Sequence, residues 1–241
     1  MQEGDHKRSV ALHDEAVALA REQNDSQVLA TALINQSGVL MLHGAHVEAR
    51  RALDESLVLV RQLGDPRGIV YVLTYMATLA FAEEDHQQAI PMMEESLALG
   101  HELESPALVA ISMCGLGLAA LYQGDHDRAS ALFEESLTLA RRTEDTYLIK
   151  DCLWGLAGVA GAKGQSSRAV RLWGAAAALD EEVGISTPDV RPVRRRLESM
   201  VRTRLNADAF EAEFAKGRAT DMDHAAAYAL ERTGGPEESA N

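Results

Sequence analysis

Four histidines recur along this chain at a fixed interval: His6, His46, His86 and His126, each preceded by a Gly-Asp, Gly-Ala or Glu-Asp pair and spaced 40 residues apart. Imidazole is the commonest zinc ligand and carries a proton near neutral pH, so the series poses a metal centre or a proton relay. Geometry argues against both. Ligands of one zinc must each approach it to about 2.0–2.1 Å, whereas equivalent residues on successive repeated helices stand at least ~8–10 Å apart. The spacing instead predicts residues that pack or hydrogen-bond in the first turn of repeated elements. Cys114 and Cys152 fall two positions out of register and are expected as buried thiols. Carboxylate pairs such as Glu94-Glu95 return in every period, and a catalytic pair has to occur once, in a pocket. Arg191, Arg194, Arg195, Arg196, Arg202 and Arg204 form a basic run expected as a solvated face. The chain has no G-x-x-x-x-G-K-[ST] phosphate loop. Gly115-Leu116-Gly117 lies inside a helical pattern, where the N–H groups that would cradle phosphate are already used. No catalytic residue, metal or cofactor is expected, and the chain is not predicted to be an enzyme.

Composition narrows the classes of partner. Of 241 residues, 46% are hydrophobic and 25% charged, a globular balance. Asp and Glu number 37 against 23 Lys and Arg, a net charge of −14. Direct binding to nucleic acid or to an anionic membrane needs the opposite sign, so neither is expected. Two cysteines build no disulfide framework and suit a reducing cytoplasm. No apolar run is expected to reach the roughly 18 residues of a membrane span.

The histidine interval belongs to a larger repeat. Ten residues after each turn signal come Asp14-Glu15-Ala16-Val17, Asp54-Glu55-Ser56-Leu57, Glu94-Glu95-Ser96-Leu97 and Glu134-Glu135-Ser136-Leu137. Each period reads as two helices. Apolar, Ala- and Leu-rich stretches near 27–43, 67–83, 107–123 and 147–163 are A helices; amphipathic stretches near 5–23, 45–63, 85–103, 125–143 and 165–183 are B helices. Asp25, Asp65, Ser105 and Asp145 are placed to cap the A helices, and Pro66 and Pro106 suit a first helical position. Gly44, Gly124 and Gly164 suit left-handed turns, where Glu84 should strain the turn or change its type. Ser37, Ala77, Gly117 and Ala157, with Ala49, Ala89, Ala129 and Ala169, predict close helix approach. Leu53, Met93, Phe133 and Trp173 grow in size at one equivalent B position.

A small residue in helix A, a glycine turn and an alanine in helix B, as in Leu116-Gly117, Gly124-Asp125 and Ala129, make this pattern resemble the tetratricopeptide repeat (TPR). The period of 40 is longer than the family's ~34, a length shared with HEAT-like repeats. The resemblance implies an all-α, TPR-like α-solenoid of antiparallel hairpins in a right-handed superhelix. Its concave face would form a groove from the A helices: Thr31, Ile34, Asn35, Tyr71, Thr74, Thr78, Ile111, Cys114, Leu118, Asp151 and Trp154. A protein or peptide partner is expected there, with Tyr71 and Trp154 as anchors.

The repeat array is expected over 1–184 and a three-helix cap over 185–232, with helices near 189–204, 206–216 and 221–232. Asn206 and Thr220 are expected as N-caps, Gly217 as a helix stop, and 233–241 as a disordered tail. Trp173-Gly174, Ala209-Phe210, Phe214, Gly217-Arg218-Ala219 and Ala225-Ala226-Ala227-Tyr228 are similar to the extreme C-terminus of large bacterial signal-transduction ATPases, including LuxR-type transcriptional regulators. That likeness implies the C-terminal arm of a bacterial signalling protein, with a fused or neighbouring ATPase domain. A free-standing adaptor or a small-molecule effector-binding superhelix are alternatives. The first B helix lacks an A partner, which suggests a piece of a longer protein or a homodimer through that helix.

Overall fold

The computed structural model describes residues 3–183 and 204–231. The expected tail, the helix near 189–204 and the 184/185 boundary lie outside those residues or at their edge. Eleven helices and no strand are found among the described residues: α1 (Glu3–Glu22), α2 (Ser26–Leu42), α3 (His46–Leu63), α4 (Pro66–Ala82), α5 (His86–Glu102), α6 (Pro106–Gln123), α7 (His126–Arg142), α8 (Thr146–Ala162), α9 (Ser166–Val183), α10 (Ala207–Arg218) and α11 (Met222–Leu230). From α1 to α9 each connection is two or three residues long, so neighbours must run antiparallel. The even-numbered helices α2–α8 are the A helices and the odd-numbered helices α1–α9 the B helices. The result is an all-α, TPR-like solenoid.

A single turn chemistry makes all eight connections. Asn24, Gly44, Gly64, Glu84, Glu104, Gly124, Glu144 and Gly164 all have positive φ, 20 residues apart. At each, this residue's N–H returns to the carbonyl three back and the next N–H to the carbonyl five back. Examples are Gly44 to Met41 at 3.1 Å with Ala45 to Leu40 at 2.9 Å, and Glu84 to Phe81 at 3.2 Å with Asp85 to Ala80 at 2.8 Å. These paired bonds satisfy helix-end carbonyls that would otherwise be orphaned. Glu84 therefore keeps the turn type, at φ +63, and accepts the strain. The turns from B to A use the same left-handed residue, which the sequence pattern left unnoticed because three of the four carry Asn or Glu.

The next helix starts where a side chain can receive free N–H groups. Asp25 accepts from Gln27 and Val28, both at 3.0 Å; Asp65 accepts from Gly68 and Asp145 from Leu148. Ser105 directly precedes α6, which opens on Pro106. The helix α6 carries no charge across 18 residues and, against expectation, is long and apolar enough to cross a membrane. Rather more than half of it is buried within the protein, as suits an A helix lined by neighbours.

The chain divides into two compact units, Met1–Leu108 and Val109–Asn241. In the first, Leu53 and Val60 anchor a core with Ala30, Met41, Ala49, Val72, Met76 and Leu79. Ser56, fully buried, donates from Oγ to the Ala30 carbonyl at 3.0 Å and pins α3 to α2. On the outer side Arg21 pairs with Glu55 at 2.7 Å and Arg61 with Glu95 at 2.9 Å, the same contact one period on.

In the second unit Ser136 repeats the pin, donating to the Ala110 carbonyl at 2.7 Å. Phe133 is accommodated by missing side chains: a Cβ on Gly155 would lie 2.3 Å from its Cζ, and one on Gly117 3.0 Å from its ring. Trp173, one period later, reaches beyond the repeats. Its ring meets Phe210 at 5.5 Å and Phe214 at 5.7 Å, both edge-on, and Trp154 at 5.8 Å. Beside it α9 and α10 approach backbone to backbone. A Cβ on Gly174 would sit 2.3 Å from the Phe214 carbonyl oxygen, and one on Gly217 2.0 Å from that of Arg171. Gly217 is therefore a contact and no stop; α10 runs on to Arg218. Asn206 caps α10 through the Ala209 N–H, whereas α11 is capped by Asp221 and not by Thr220. Arg168 Nη2 donates to the Ala229 carbonyl at 2.7 Å, and Arg168 and Arg171 lie over the Tyr228 ring at 5.0 and 5.1 Å. These contacts fasten α11 to α9.

Candidate interaction surfaces

The surface of an A helix follows from its composition. The α2 segment has no charged residue and α4 only Arg67. Helix α4 buries about half of its residues and α2 buries Ala30, Leu33, Ser37 and Met41, which leaves a largely uncharged strip outside. In the first unit, where α2 lies against α4, the strip holds five of the expected groove residues in partial or full exposure beside Tyr71. Thr31 and Asn35 are exposed, Ile34, Thr74 and Thr78 half-buried, and Tyr71 is 46% exposed. Val28, missed by the sequence reading, is exposed one turn before Thr31.

Hydrogen bonding makes this strip more apolar than its residue names suggest. Thr31 Oγ1 donates to the Gln27 carbonyl at 3.1 Å, Thr74 to Val70 at 2.8 Å and Thr78 to Thr74 at 2.9 Å. Each hydroxyl proton is thus used within its own helix, on a strip where Val28 and Tyr71 are exposed. Asn35 supplies the exposed amide. The Tyr75 ring lies over Gly38, whose added Cβ would meet Cε1 at 3.1 Å. Near one end, Gln27 Nε2 donates to Asp65 Oδ2 at 3.0 Å and ties the two A helices together. Partial burial pushes the Asp65 carboxyl up, but hydrogen bonds from the Gly68 N–H, the Gln27 amide and the Arg67 N–H, with the Arg67 charge, bring it below the usual range.

The second unit treats its expected groove residues differently. Ile111 and Cys114 are half-buried and Leu118 buried. Trp154 is 1% exposed, held between the Trp173 ring and Asp180, whose Oδ2 accepts from indole Nε1 at 3.3 Å. The expected anchor is thus inside the protein, because α8 is covered along nearly its whole length while α11 packs on α7, α8 and α9. Asp151, half-buried, faces Lys150 at 3.5 Å.

Lys150 was not singled out from sequence. It is 0% exposed and lies 3.3 Å from Asp180. Both positions are apolar or glycine in the earlier repeats: Ala30 with Val60, Val70 with Gly100, Ala110 with Ala140. The last repeat exchanges such a pair for an ion pair. Two charges withdrawn from water are tolerated only as partners, so the exchange has to occur at both positions together. That simultaneous departure from the repeat was the available signal.

The remaining chemistry-bearing residues find local roles. His86 stacks on Phe81 with ring centroids 6.0 Å apart. Cys152 is buried, its Sγ 3.2 Å from Ser136 Oγ. Arg204 donates to the Gly161 carbonyl at 3.2 Å, at the end of α8; the other arginines of the basic run lie outside the described residues. No group of three or more His, Cys, Asp or Glu is gathered as for a metal among the described residues.

Fold and surface together define a helical-hairpin repeat scaffold with a largely uncharged A-helix strip. Comparison with protein families agrees: residues 68–142 match the family described as Tetratricopeptide repeat, to which the chain's central hairpins are thus similar. Residues 1–40 and 29–83 match the family described as Anaphase-promoting complex subunit 5. No curated protein matches the chain. TPR repeats imply a protein-interaction module, and residues 68–142 of this chain are similar to them.

Proposed function

We infer that the strip of α2 and α4 binds an apolar helix or extended apolar segment of a partner protein, with Tyr71 and Val28 as the principal contacts. The observation that carries this reading is the 46% exposed Tyr71 within a surface whose threonine hydroxyl protons are already used. From Tyr71 to Thr78 the strip carries no charge and its threonine hydroxyl protons are used, with Arg67 exposed one turn before Tyr71, so selectivity rests mainly on shape and apolar area. The module is a non-catalytic binding arm. Its larger setting, in this reading, is a bacterial signalling ATPase or transcriptional regulator in the cytoplasm. The support is the likeness of residues 165–230 to the C-terminus of such proteins, and the fact that Trp173, Gly174, Phe210, Phe214 and Gly217 meet in one contact region. The match to an anaphase-promoting complex subunit family favours a second setting, a scaffold inside a larger protein assembly.

Binding of a panel of 15-residue peptides, apolar, acidic and basic, tests the surface. Apolar peptides should bind, and Tyr71→Ala should weaken them by about 2 kcal/mol, on the order of 30-fold, as loss of an aromatic anchor does. Because the ring is half in solvent, the circular dichroism spectrum should be unchanged. Equal affinity in the variant, or preference for charged peptides, rejects the assignment. The setting is tested separately by whether the native reading frame encodes an ATPase domain in the same polypeptide.

A further inference from the structure

The strip on α2 and α4 has one charged end. Helix α2 carries no charge and α4 carries Arg67 alone. Arg67 is exposed one turn before Tyr71, and Thr74 and Thr78 continue the same face of α4. At the equivalent position the other A helices have Gln27, Ala107 and Tyr147, so the cation belongs to this hairpin alone. The neighbouring acid does not engage it. Asp65 Oδ1 accepts from the Gly68 N–H and Oδ2 from Gln27 Nε2, both at 3.0 Å. The Arg67 charge is the smallest of the causes that lower the Asp65 carboxyl. Among the described residues the Arg67 guanidinium makes no hydrogen bond and no ion pair, whereas Arg21, Arg50 and Arg61 of the same unit each hold a glutamate.

We propose that the partner segment on this strip carries one acidic side chain that pairs with Arg67, about 6 Å along α4 from the apolar side chain covering Tyr71. The proposal rests on the apolar-segment reading above and adds a direction to it. Four residues of helix rise about 6 Å, which sets the spacing as one turn in a helical partner or two residues in an extended one. The acid has one place. From Tyr71 to Thr78 the strip has no cation, and the threonine hydroxyl protons that could meet a carboxylate are used within α4. The chain's net charge of −14 disfavours acids elsewhere. At the Arg67 end the cap carboxylates of Asp25 and Asp65 accept from the first N–H groups of α2 and α4, and the partial positive charge of those helix ends offsets them. Apolar area alone would accept a segment in either direction; a single acid fixes one.

The probes are acetylated and amidated 15-residue Ala-rich peptides with one phenylalanine as anchor and a neutral solubilising tail, titrated into the full chain. A single glutamate is scanned along them. One turn or two residues from the anchor, on one side only, it should tighten binding by about threefold, the size of an exposed ion pair. Molar salt should remove that gain. Arg67→Glu should turn the glutamate gain into a loss and give the gain to lysine at the same place. Because Arg67 is exposed and unpaired, this variant should keep its urea midpoint. Tyr71→Ala tests the underlying reading by itself and should weaken every peptide, with or without glutamate. A gain independent of position, a gain that survives Arg67→Glu, or no gain in peptides that Tyr71→Ala still weakens overturns this proposal alone. Peptides insensitive to Tyr71→Ala overturn the strip and the proposal together.

Discussion

Substituting alanine for Gly217 sets helix propensity against packing, with opposite signs. Within a helix, Gly→Ala stabilises by about 1 kcal/mol. Here the new Cβ would lie 2.0 Å from the Arg171 carbonyl oxygen and 2.9 Å from the Ala175 nitrogen, against a practical minimum of 3.0 Å. Both obstacles are backbone atoms of α9, so no rotamer change relieves them and the helices must part by about 1 Å. A gap of that size forfeits a quarter to half of each dispersion contact, and those at stake include the edge-on pairs of Trp173 with Phe210 and Phe214. Overpacking of this kind costs about 1–3 kcal/mol, and with backbone on both sides the upper end applies. Subtracting the propensity gain leaves about 2 kcal/mol against docking of α10, or roughly 30-fold faster exchange of its amides. Hydrogen exchange on residues 207–218 reads this directly, with α3 and α4 as internal controls that should not change. Unaltered or slower exchange in α10 would refute the close-approach argument.

Other expectations test the repeat itself. Glu84→Gly should raise the unfolding free energy from urea melts by about 0.5–1 kcal/mol, since relief of a left-handed residue (about 1–2) exceeds the added unfolded-state freedom; Glu83→Gly, at negative φ, should lower it. Ser136→Ala should cost about 1 kcal/mol by removing the buried bond to the Ala110 carbonyl, and an unchanged midpoint would remove the pin from the account. The Asp65 carboxyl is held below its ordinary value, so its contribution is complete above the unfolded pKa near 3.9 and is lost as pH falls through the depressed folded value. Asp65→Asn keeps the cap but cannot titrate, so thermal melts from pH 6 to pH 2 should show a shallower acid loss; identical profiles would contradict this.

Much of the architecture was legible because a repeat states the same rule several times. A 40-residue period with helical spacing specified nine helices to within one or two residues, and Asp25, Asp65 and Asp145 cap as their type and place require. The shared left-handed turn was half legible. Glycine announced it at 44, 124 and 164, whereas Asn24, Glu104 and Glu144 adopt it under compulsion from the helices on either side, which composition does not reveal. Gly217 shows the limit in another form. The residue type permits a helix stop or a close approach, and only the position of α9 chooses between them.

The interaction surface divides in the same way. Tyr71 and Trp154 were equivalent as aromatic residues on A helices, but exposure depends on what else the chain lays over a helix, a non-local fact. In the first unit Tyr71 keeps half its surface open; in the second, Trp154 is enclosed by Trp173 and Asp180. Local periodicity by itself determined which segments are helical and where they turn, because those follow from 3.6-residue spacing and backbone hydrogen bonding. Tertiary structure alone decided which of the remaining faces stay open, since that is set by contacts between residues far apart in the chain: Lys150 with Asp180, Gly174 with Gly217, and α11 with α8.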